Sequence, residues 1–384
     1  NTQSTWTALY KRIGVVNVIL NEIDEFKDEP GDGYRKVKGE AHFLRGSNYY
    51  FLVNIYGQPY SKERAATELG VPLKLNAEIE DKRFQRNSLE ECYQQIVSDL
   101  QSAVRLLKGL KSTTTYRANE MAARLLLSRV FLYQGEWENV IKQCDTILMD
   151  KSYSLLDYNT LTTTSNVISA KSPETIFTSG ATTYTNTPFL PFINYYFRAS
   201  EEILAAYSSN DLRRKFYFRG YSAYAPRKML NTKDGSCSDF FLLRLPEVYL
   251  NKAEALAMLE KTTEAIETIQ TLREQRVKTG TLEDLQLSGE ELVNYIRNER
   301  RLELTFEGQR WFDLRRYAVC PKWPFQKEIH HPYYVETEIK GARVLRKYDE
   351  EPEFYVLPLP ENEIVLNGGT LIQNATREQK SEVM

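Results

Sequence analysis

Little in this chain offers reactive chemistry. Its 384 residues include three histidines (His42, His330, His331) and four cysteines (Cys92, Cys144, Cys237, Cys320). The cysteines lie far apart, with no CxxC pair and no metal-ligand spacing. Cys92 and Cys144 fall on apolar helix faces and read as small buried hydrophobes. The His330-His331 pair precedes Pro332 without HExxH or any other ligand spacing, so no zinc site is expected. His42 lies in a helical stretch and reads as a cap or core residue. There is no GxSxG elbow, no Walker loop and no reactive-cysteine context. Gly31-Asp32-Gly33 looks like half a dinucleotide loop, but the sixth residue is Lys36 and no strand precedes it. It reads as a turn between helices. Neither a catalytic residue nor a cofactor is expected.

Long apolar runs are also missing. No stretch approaches the ~18 consecutive apolar residues that span a bilayer, and the run from Ile13 to Leu20 is interrupted by Gly14 and Asn17. Charge of one sign is scarce too: 50 Lys and Arg against 52 Asp and Glu leave a net charge of −2. That balance argues against nucleic acid as a partner, since phosphate binding needs a cationic excess. The chain opens at Asn1 without an initiator Met, a signal peptide or a lipid-attachment Cys. This predicts a mature, trimmed or partial product.

Helical periodicity and tyrosine are what the sequence has in quantity. Trp6, Leu9, Ile13, Val16, Leu20 and Ile23 step at three and four residues, placing them on one stripe. After Glu29-Pro30-Gly31-Asp32-Gly33, a second helix is predicted to bury Val37, Ala41, Leu44, Phe51 and Ile55 and to end before Gly57. Ser88 and Glu91 form a capping-box pattern ahead of a third stripe of Leu89, Cys92, Tyr93, Ile96, Leu100, Ala103 and Leu107, with Gly109 as its stop. Ser288 and Glu291 repeat the pattern before a helix through Leu292, Ile296, Leu302 and Phe306, predicted to stop at Gly308. From Pro321 onward the chain reads as loop, with no further long helix.

An internal echo joins the two halves. The stretch from Leu132 through Gly135 and Trp137 to Ile141 reappears 125 residues later as Ala257 through Glu260 and Thr262 to Ile266. In both copies a helix with small residues (Ala122 and Ala123; Ala253, Ala255 and Ala257) meets a short polar turn and an amphipathic helix returns. That is the unit of a tetratricopeptide-like solenoid. Between the copies, Glu174 to Thr178 is a short β-prone run, and 12 of the 41 residues from Tyr184 to Tyr224 are aromatic. A long insertion between repeat units maps to one face, often the binding face. The expected fold is all-α: a tetratricopeptide-like helical solenoid with a loop-rich, aromatic-rich insertion and short β elements, the strands confined to 151–240 and the C-terminal region. It is expected as a single domain over 1–384, with first helical pairs at 1–150, the insertion at 151–240, a second repeat block at 241–317 and a loop-rich segment at 318–384.

Within the insertion, Tyr195, Tyr196, Tyr221 and Tyr224 lie beside turn-prone residues and are the expected ligand contacts. Phe216 and Phe218 alternate with Tyr217 as a half-buried strand would, and read as core. Phe189, Phe192 and Phe197 have no polar tip and read as packing.

The stretch Tyr295-Ile296-Arg297-Asn298-Glu299-Arg300-Arg301-Leu302-Glu303-Leu304-Thr305-Phe306-Glu307-Gly308-Gln309-Arg310-Trp311-Phe312-Asp313-Leu314-Arg315-Arg316 resembles the hallmark of the SusD/RagB family. Gly39 through Arg45 to Tyr56-Gly57, Ser200 to Ile203 with Asp211-Leu212-Arg213, Leu243 through Leu250 with Ala253-Glu254-Ala255, and Leu357-Pro358-Leu359-Pro360 with Glu363, Ile364 and Asn367 resemble its other landmarks in order. The hallmark itself reads as structural: Glu299, Arg300, Glu303, Glu307, Arg310, Asp313 and Arg315 alternate in sign across a helix–Gly–helix junction, with Leu302, Phe306, Trp311 and Phe312 supplying packing.

The resemblance implies a non-enzymatic cell-surface protein on the outer face of the outer membrane, held there by an N-terminal lipid. It would capture oligosaccharides and deliver them to a SusC-like TonB-dependent transporter. Pyranose C–H faces stack on aromatic rings, while sugar hydroxyls need a few polar partners. The signal peptide and lipidated Cys usual in the family are not in this sequence, and its central region is short, which implies a reduced glycan site or another cargo. Two alternatives stand beside the first: the same fold capturing peptides, and a glycoside hydrolase, which requires two carboxylates across one cleft.

Overall fold

The computed structural model describes residues 2–162, 165–180, 199–219, 222–228, 235–238, 240–335, 338–375 and 381–382. The architecture is mostly helical. Strand is confined, among the described residues, to seven segments of two to eight residues. The chain divides into two units, one made of 1–103 with 312–384 and the other of 104–311.

In the first unit, α1 (Thr2–Glu22) and α2 (Gly33–Tyr56) pack as a pair. Trp6, Leu9, Ile13 and Val16 are buried as the stripe predicts, and the Trp6 ring meets Tyr56 edge-on at 4.9 Å. The second stripe needs correction. Val37 and Leu44 are exposed, while Phe43, Tyr49, Tyr50, Leu52 and Val53 are buried. From Arg45 on, α2 is enclosed almost all round, so no single stripe describes it.

The third helix, α3 (Leu89–Leu107), starts on the expected capping box. Glu91 N–H donates to Ser88 Oγ (3.1 Å) and Ser88 N–H to Glu91 Oε2 (2.8 Å). Its whole apolar stripe is buried. Asp99 on this helix takes a bidentate contact from Arg45 (2.8 and 2.9 Å) and a bond to His42 Nδ1 (2.8 Å), which ties it to α2.

The second unit contains the echo. α4 (Glu120–Gln134) returns as α5 (Trp137–Met149), and 125 residues on, α8 (Leu245–Met258) returns as α9 (Thr262–Glu274). The two turns superpose dihedral by dihedral. Gly135 has φ 73° and Glu260 φ 60°; Glu136 then has φ −87°, ψ 68° and Lys261 φ −80°, ψ 65°. Glu136 N–H donates to the Phe131 carbonyl (3.0 Å), and Lys261 N–H to that of Leu256 (2.9 Å). Connections of two residues in the first copy and three in the second, between helices in contact, make each pair antiparallel. Counting α1 with α2, this gives three such pairs among the described residues.

Two short sheets sit between the repeats. β1 (Thr175–Thr178) fulfils the β-prone expectation and pairs antiparallel with β4 (Leu242–Arg244), which lies just past the insertion's expected end. Within the insertion lie α6 (Glu201–Ala205) and α7 (Arg213–Tyr217), then β2 (Phe218–Arg219) pairing with β3 (Ser222–Pro226). Phe216 and Phe218 are core as expected, but not through strand alternation. Phe216 lies in α7 and Phe218 opens β2, and Tyr217 between them is also fully buried.

Three further corrections fall near the hallmark. α10 (Gly289–Glu303) has Ser288 at its N-cap without a side-chain cap bond, and Gly289 enters the helix left-handed (φ 55°). The helix ends at Glu303 rather than Gly308, because Phe306 is itself left-handed (φ 68°) ahead of Gly308 (φ 70°). Trp311, expected to pack, opens α11 (Arg310–Ala318) 37% exposed. Past Pro321 the chain forms an antiparallel hairpin, β5 (Ile329–Val335) with β6 (Glu338–Leu345), which β7 (Ser381–Glu382) extends. One short helix, α12 (Glu361–Leu366), follows the hairpin.

Candidate functional site

In α10, Glu299 and Glu303 are one turn apart, so they share a face, and Glu307 follows in the next turn. All three are buried, and cations from four other segments converge on them. Arg213 bonds Asp211 (2.6 Å), Glu299 (2.8 Å) and Glu303 (3.4 Å). Arg244 bonds Glu303 and Glu307 (2.7 Å each) and Glu174 (3.4 Å). Arg276 bonds Glu174 (2.6 Å) and Glu303 (3.0 Å), and Lys228 bonds Glu307. Burial alone would raise the Glu303 carboxyl, but Arg276, Arg244, Arg213 and Lys228 outweigh it and hold it well below its ordinary value. Glu307 is lowered in the same way by Arg244 and Lys228.

A second buried set lies one turn back on α10. Arg129 grips Glu247 with two bonds of 2.7 Å, and Arg300 donates to Asn251 (2.7 Å), whose amide donates to Ser128 (3.0 Å). In the first unit, the Arg315 guanidinium donates to the carbonyls of Asn54 and Gly57 at the end of α2. The hallmark charges are therefore spent on internal pairs and helix-end carbonyls, the structural role expected of them. Asp211 and Arg213, as well as Lys228, belong to the insertion, so the knot roots that insertion on α10. Sequence reading quoted Arg213 and Arg244 as landmarks but did not see them, or Arg276, Lys228 and Glu174, as partners of the hallmark.

Of the four expected contact residues, Tyr195, Tyr196 and Tyr221 lie outside the described residues, as do Phe189, Phe192 and Phe197. Tyr224 belongs to β3, and its side chain lies outside the description.

Among the described residues near the insertion, a different pair of rings faces outward. Tyr116 is 44% exposed and Phe240 47% exposed. Both stand on braced backbone beside β1. Thr178 N–H donates to the Thr115 carbonyl (2.9 Å) and the Thr115 hydroxyl to that of Ala170 (2.9 Å). Ala170 N–H donates to Gly235 (3.1 Å), and the Tyr116 hydroxyl donates to the Ser236 carbonyl (2.9 Å). Ser238 N–H donates to Thr178 Oγ1 (2.8 Å), and Ser238 Oγ accepts from Phe240 and Phe241 N–H (3.1 and 3.0 Å). Gly235 (φ 88°) has no room for a side chain: a Cβ would lie 2.8 Å from Ala170 Cβ and 2.9 Å from the Tyr116 hydroxyl. With its hydroxyl on the Ser236 carbonyl, the Tyr116 ring is held at the surface, while the Thr178 and Ser238 hydroxyls below it are buried and bonded to backbone. An exposed aromatic ring of this kind offers a flat apolar face on which a ligand can stack. The sequence carried a weak signal for it, a lone Tyr after Ser112-Thr113-Thr114-Thr115.

Residues 149–376 match a family model described as the SusD family, and residues 1–132 match one described as starch-binding, associating with the outer membrane. The SusD-like protein P2 of Formosa agariphila is 23% identical, over 96% of this chain and 79% of that protein. A SusD superfamily protein from Bacteroides thetaiotaomicron has the same fold, with a TM-score of 0.76 at 22% identity over 97% of this chain and 85% of that one. A laminarin-binding SusD-like protein aligns with a TM-score of 0.66 at 20% identity, over 97% and 85% of the two chains.

Proposed function

We propose that this chain, which belongs to the SusD family, captures oligosaccharides at the outer face of the outer membrane and does not cleave them. It passes them to a TonB-dependent transporter and is held at the membrane by an N-terminal lipid. The observation that carries the ligand class is the braced pair of exposed rings, Tyr116 and Phe240, beside hydroxyl-bearing segments. The description of the model matching residues 1–132 and the laminarin-binding neighbour support the same class. Tyr195, Tyr196, Tyr221 and Tyr224 of the insertion supply further stacking faces.

Each stacked ring contributes roughly 0.5–1.5 kcal/mol beyond area burial. A single site of this kind is weak, and surface tethering compensates by raising the effective concentration of ligand. Affinity electrophoresis and calorimetry over a glycan panel test the reading. Tyr116→Ala and Phe240→Ala are each expected to weaken binding about three- to tenfold without shifting the thermal midpoint. Binding of a peptide library with no glycan binding would transfer the site to the peptide alternative.

A further inference from the structure

Three stretches of chain meet at the Tyr116 ring. Thr115 and Tyr116 lie ahead of α4, Ala170 ahead of β1, and Gly235 and Ser236 ahead of β4. The root of the ring is fixed through backbone. Tyr116 N–H donates to Thr114 Oγ1 (3.3 Å), the Thr115 carbonyl accepts from Thr178 N–H (2.9 Å), and the Thr115 hydroxyl donates to the Ala170 carbonyl (2.9 Å). The tip is fixed by one bond, from the phenol hydroxyl to the Ser236 carbonyl (2.9 Å). Pinned at both ends, the ring keeps one orientation while remaining 44% exposed.

Gly235 is what leaves the tip its path. Its φ of 88° already disfavours an L side chain. A Cβ there would also lie 2.8 Å from Ala170 Cβ and 2.9 Å from the Tyr116 hydroxyl, well inside the about 3.5–4.0 Å of ordinary nonbonded contact. The two neighbours differ in what they can yield. Ala170 Cβ moves only with its backbone, which the Ala170 N–H holds on the Gly235 carbonyl (3.1 Å). The phenol can swing about its side-chain torsions at the cost of one hydrogen bond. A side chain at 235 is therefore accommodated by expelling the Tyr116 hydroxyl from Ser236. The freed ring would sample several orientations, and a ligand would have to order it again on binding.

We propose that Gly235 is a positioning residue: by carrying no side chain it lets the Tyr116 phenol lie against the 235–236 backbone, and so fixes the stacking face offered to a glycan. The glycan in this statement rests on the function proposed above; the hold on the phenol does not.

The hold is read without ligand, by nitration of the full chain with tetranitromethane, followed peptide by peptide in the mass spectrometer. Nitration proceeds through the phenolate, and a phenol that donates its proton to a carbonyl resists ionisation. Burial, with Cys237 adding to it, raises the Tyr116 phenol in the same direction. In Gly235→Ala, Tyr116 should therefore nitrate severalfold faster than in wild type, with the buried Tyr93 and Tyr158 unchanged. Glycan affinity should fall about three- to tenfold, as in Tyr116→Ala. Added to Tyr116→Ala, the same substitution should cost no further affinity, because the ring it displaces is already gone. A merely structural glycine would lower affinity in both backgrounds. Should Gly235→Ala fail to fold, Ala170→Gly/Gly235→Ala removes the contact with Ala170 and leaves only that with the phenol. Measured against Ala170→Gly, it should show the same faster nitration and weaker binding. Wild-type nitration of Tyr116 in whichever variant folds, or an added loss of affinity in the Tyr116→Ala background, overturns the proposal. A wild-type chain that binds no glycan would remove the proposed function, while nitration would still decide the hold on the phenol.

Discussion

Replacing Glu303 by Gln changes one atom type at the centre of the buried knot. Oε1 accepts from Arg244 (2.7 Å) and Arg276 (3.2 Å), and Oε2 from Arg276 (3.0 Å) and Arg213 (3.4 Å). The amide would turn an N–H group toward a guanidinium N–H and delete the charge that faces three arginines. Breaking a buried pair costs about 3–5 kcal/mol. Here the lower end applies, because each arginine keeps another carboxylate: Arg213 keeps Asp211 and Glu299, Arg244 keeps Glu307, and Arg276 keeps Glu174. At roughly 2–4 °C per kcal/mol for a unit of this size, the midpoint followed by far-UV circular dichroism should fall by about 6–12 °C. Glu202→Gln is the matched control. That carboxylate pairs with Arg301 at 2.8 Å but is 57% exposed, so its loss should cost less than about 1 kcal/mol. If the two variants melted within about a degree of each other, the account of the knot would be wrong.

Leu132→Asp and Ala257→Asp, buried at equivalent positions of the two repeats, should each cost several kcal/mol, since neither carboxylate would find a partner; two wild-type midpoints would break the helix pairing. Glu260 holds the left-handed position that glycine holds in the other repeat, so Glu260→Gly should gain roughly 0.5–1 kcal/mol and Gly135→Ala should lose about 1 kcal/mol. A loss of stability in Glu260→Gly, or a gain in Gly135→Ala, in denaturant unfolding would refute the equivalence. Glu303, Glu307 and Asp99 have folded pKa values below their ordinary ones. Their stabilisation is therefore complete above the unfolded values near 4–4.5 and is lost as pH falls through the folded ones. The midpoint should drop steeply below about pH 4.5 in wild type and less so in Glu303→Gln; equal slopes would count against it.

Features that depend on neighbouring residues were legible in the sequence. The Ser88–Glu91 box, the stripe on α3 and the repeated turn at Gly135 and Glu260 need only a few consecutive residues, and each is present. Local patterns misled where a single dihedral intervened. Ser288 and Glu291 have the right spacing, yet Gly289 turns left-handed between them, and Phe306 ends α10 a turn early.

The knot was illegible for another reason. Arg276 and Glu174 are 102 residues apart and Arg244 and Glu303 are 59 apart, and among 50 basic and 52 acidic residues no spacing singles out those pairs. Short strands were expected toward the C-terminus, but their pairing was not legible, because Pro332 sits in β5 opposite Ala342 in a stretch whose prolines read as loop. For the ligand surface, tyrosine enrichment pointed to the insertion but not to Tyr116, whose exposure depends on Ser236 holding its hydroxyl from 120 residues away.

The central claim is that this chain holds a glycan and leaves it intact. It is tested most directly by calorimetric titration of the wild type and of the Tyr195→Ala/Tyr196→Ala/Tyr221→Ala/Tyr224→Ala variant against an oligosaccharide panel that includes starch and laminarin fragments, with the ligand recovered for mass spectrometry. The account predicts saturable binding to at least one glycan, an affinity reduced roughly tenfold or more in the folded variant, and ligand recovered at its original mass. No binding across the panel, or ligand recovered as shorter fragments, would contradict it.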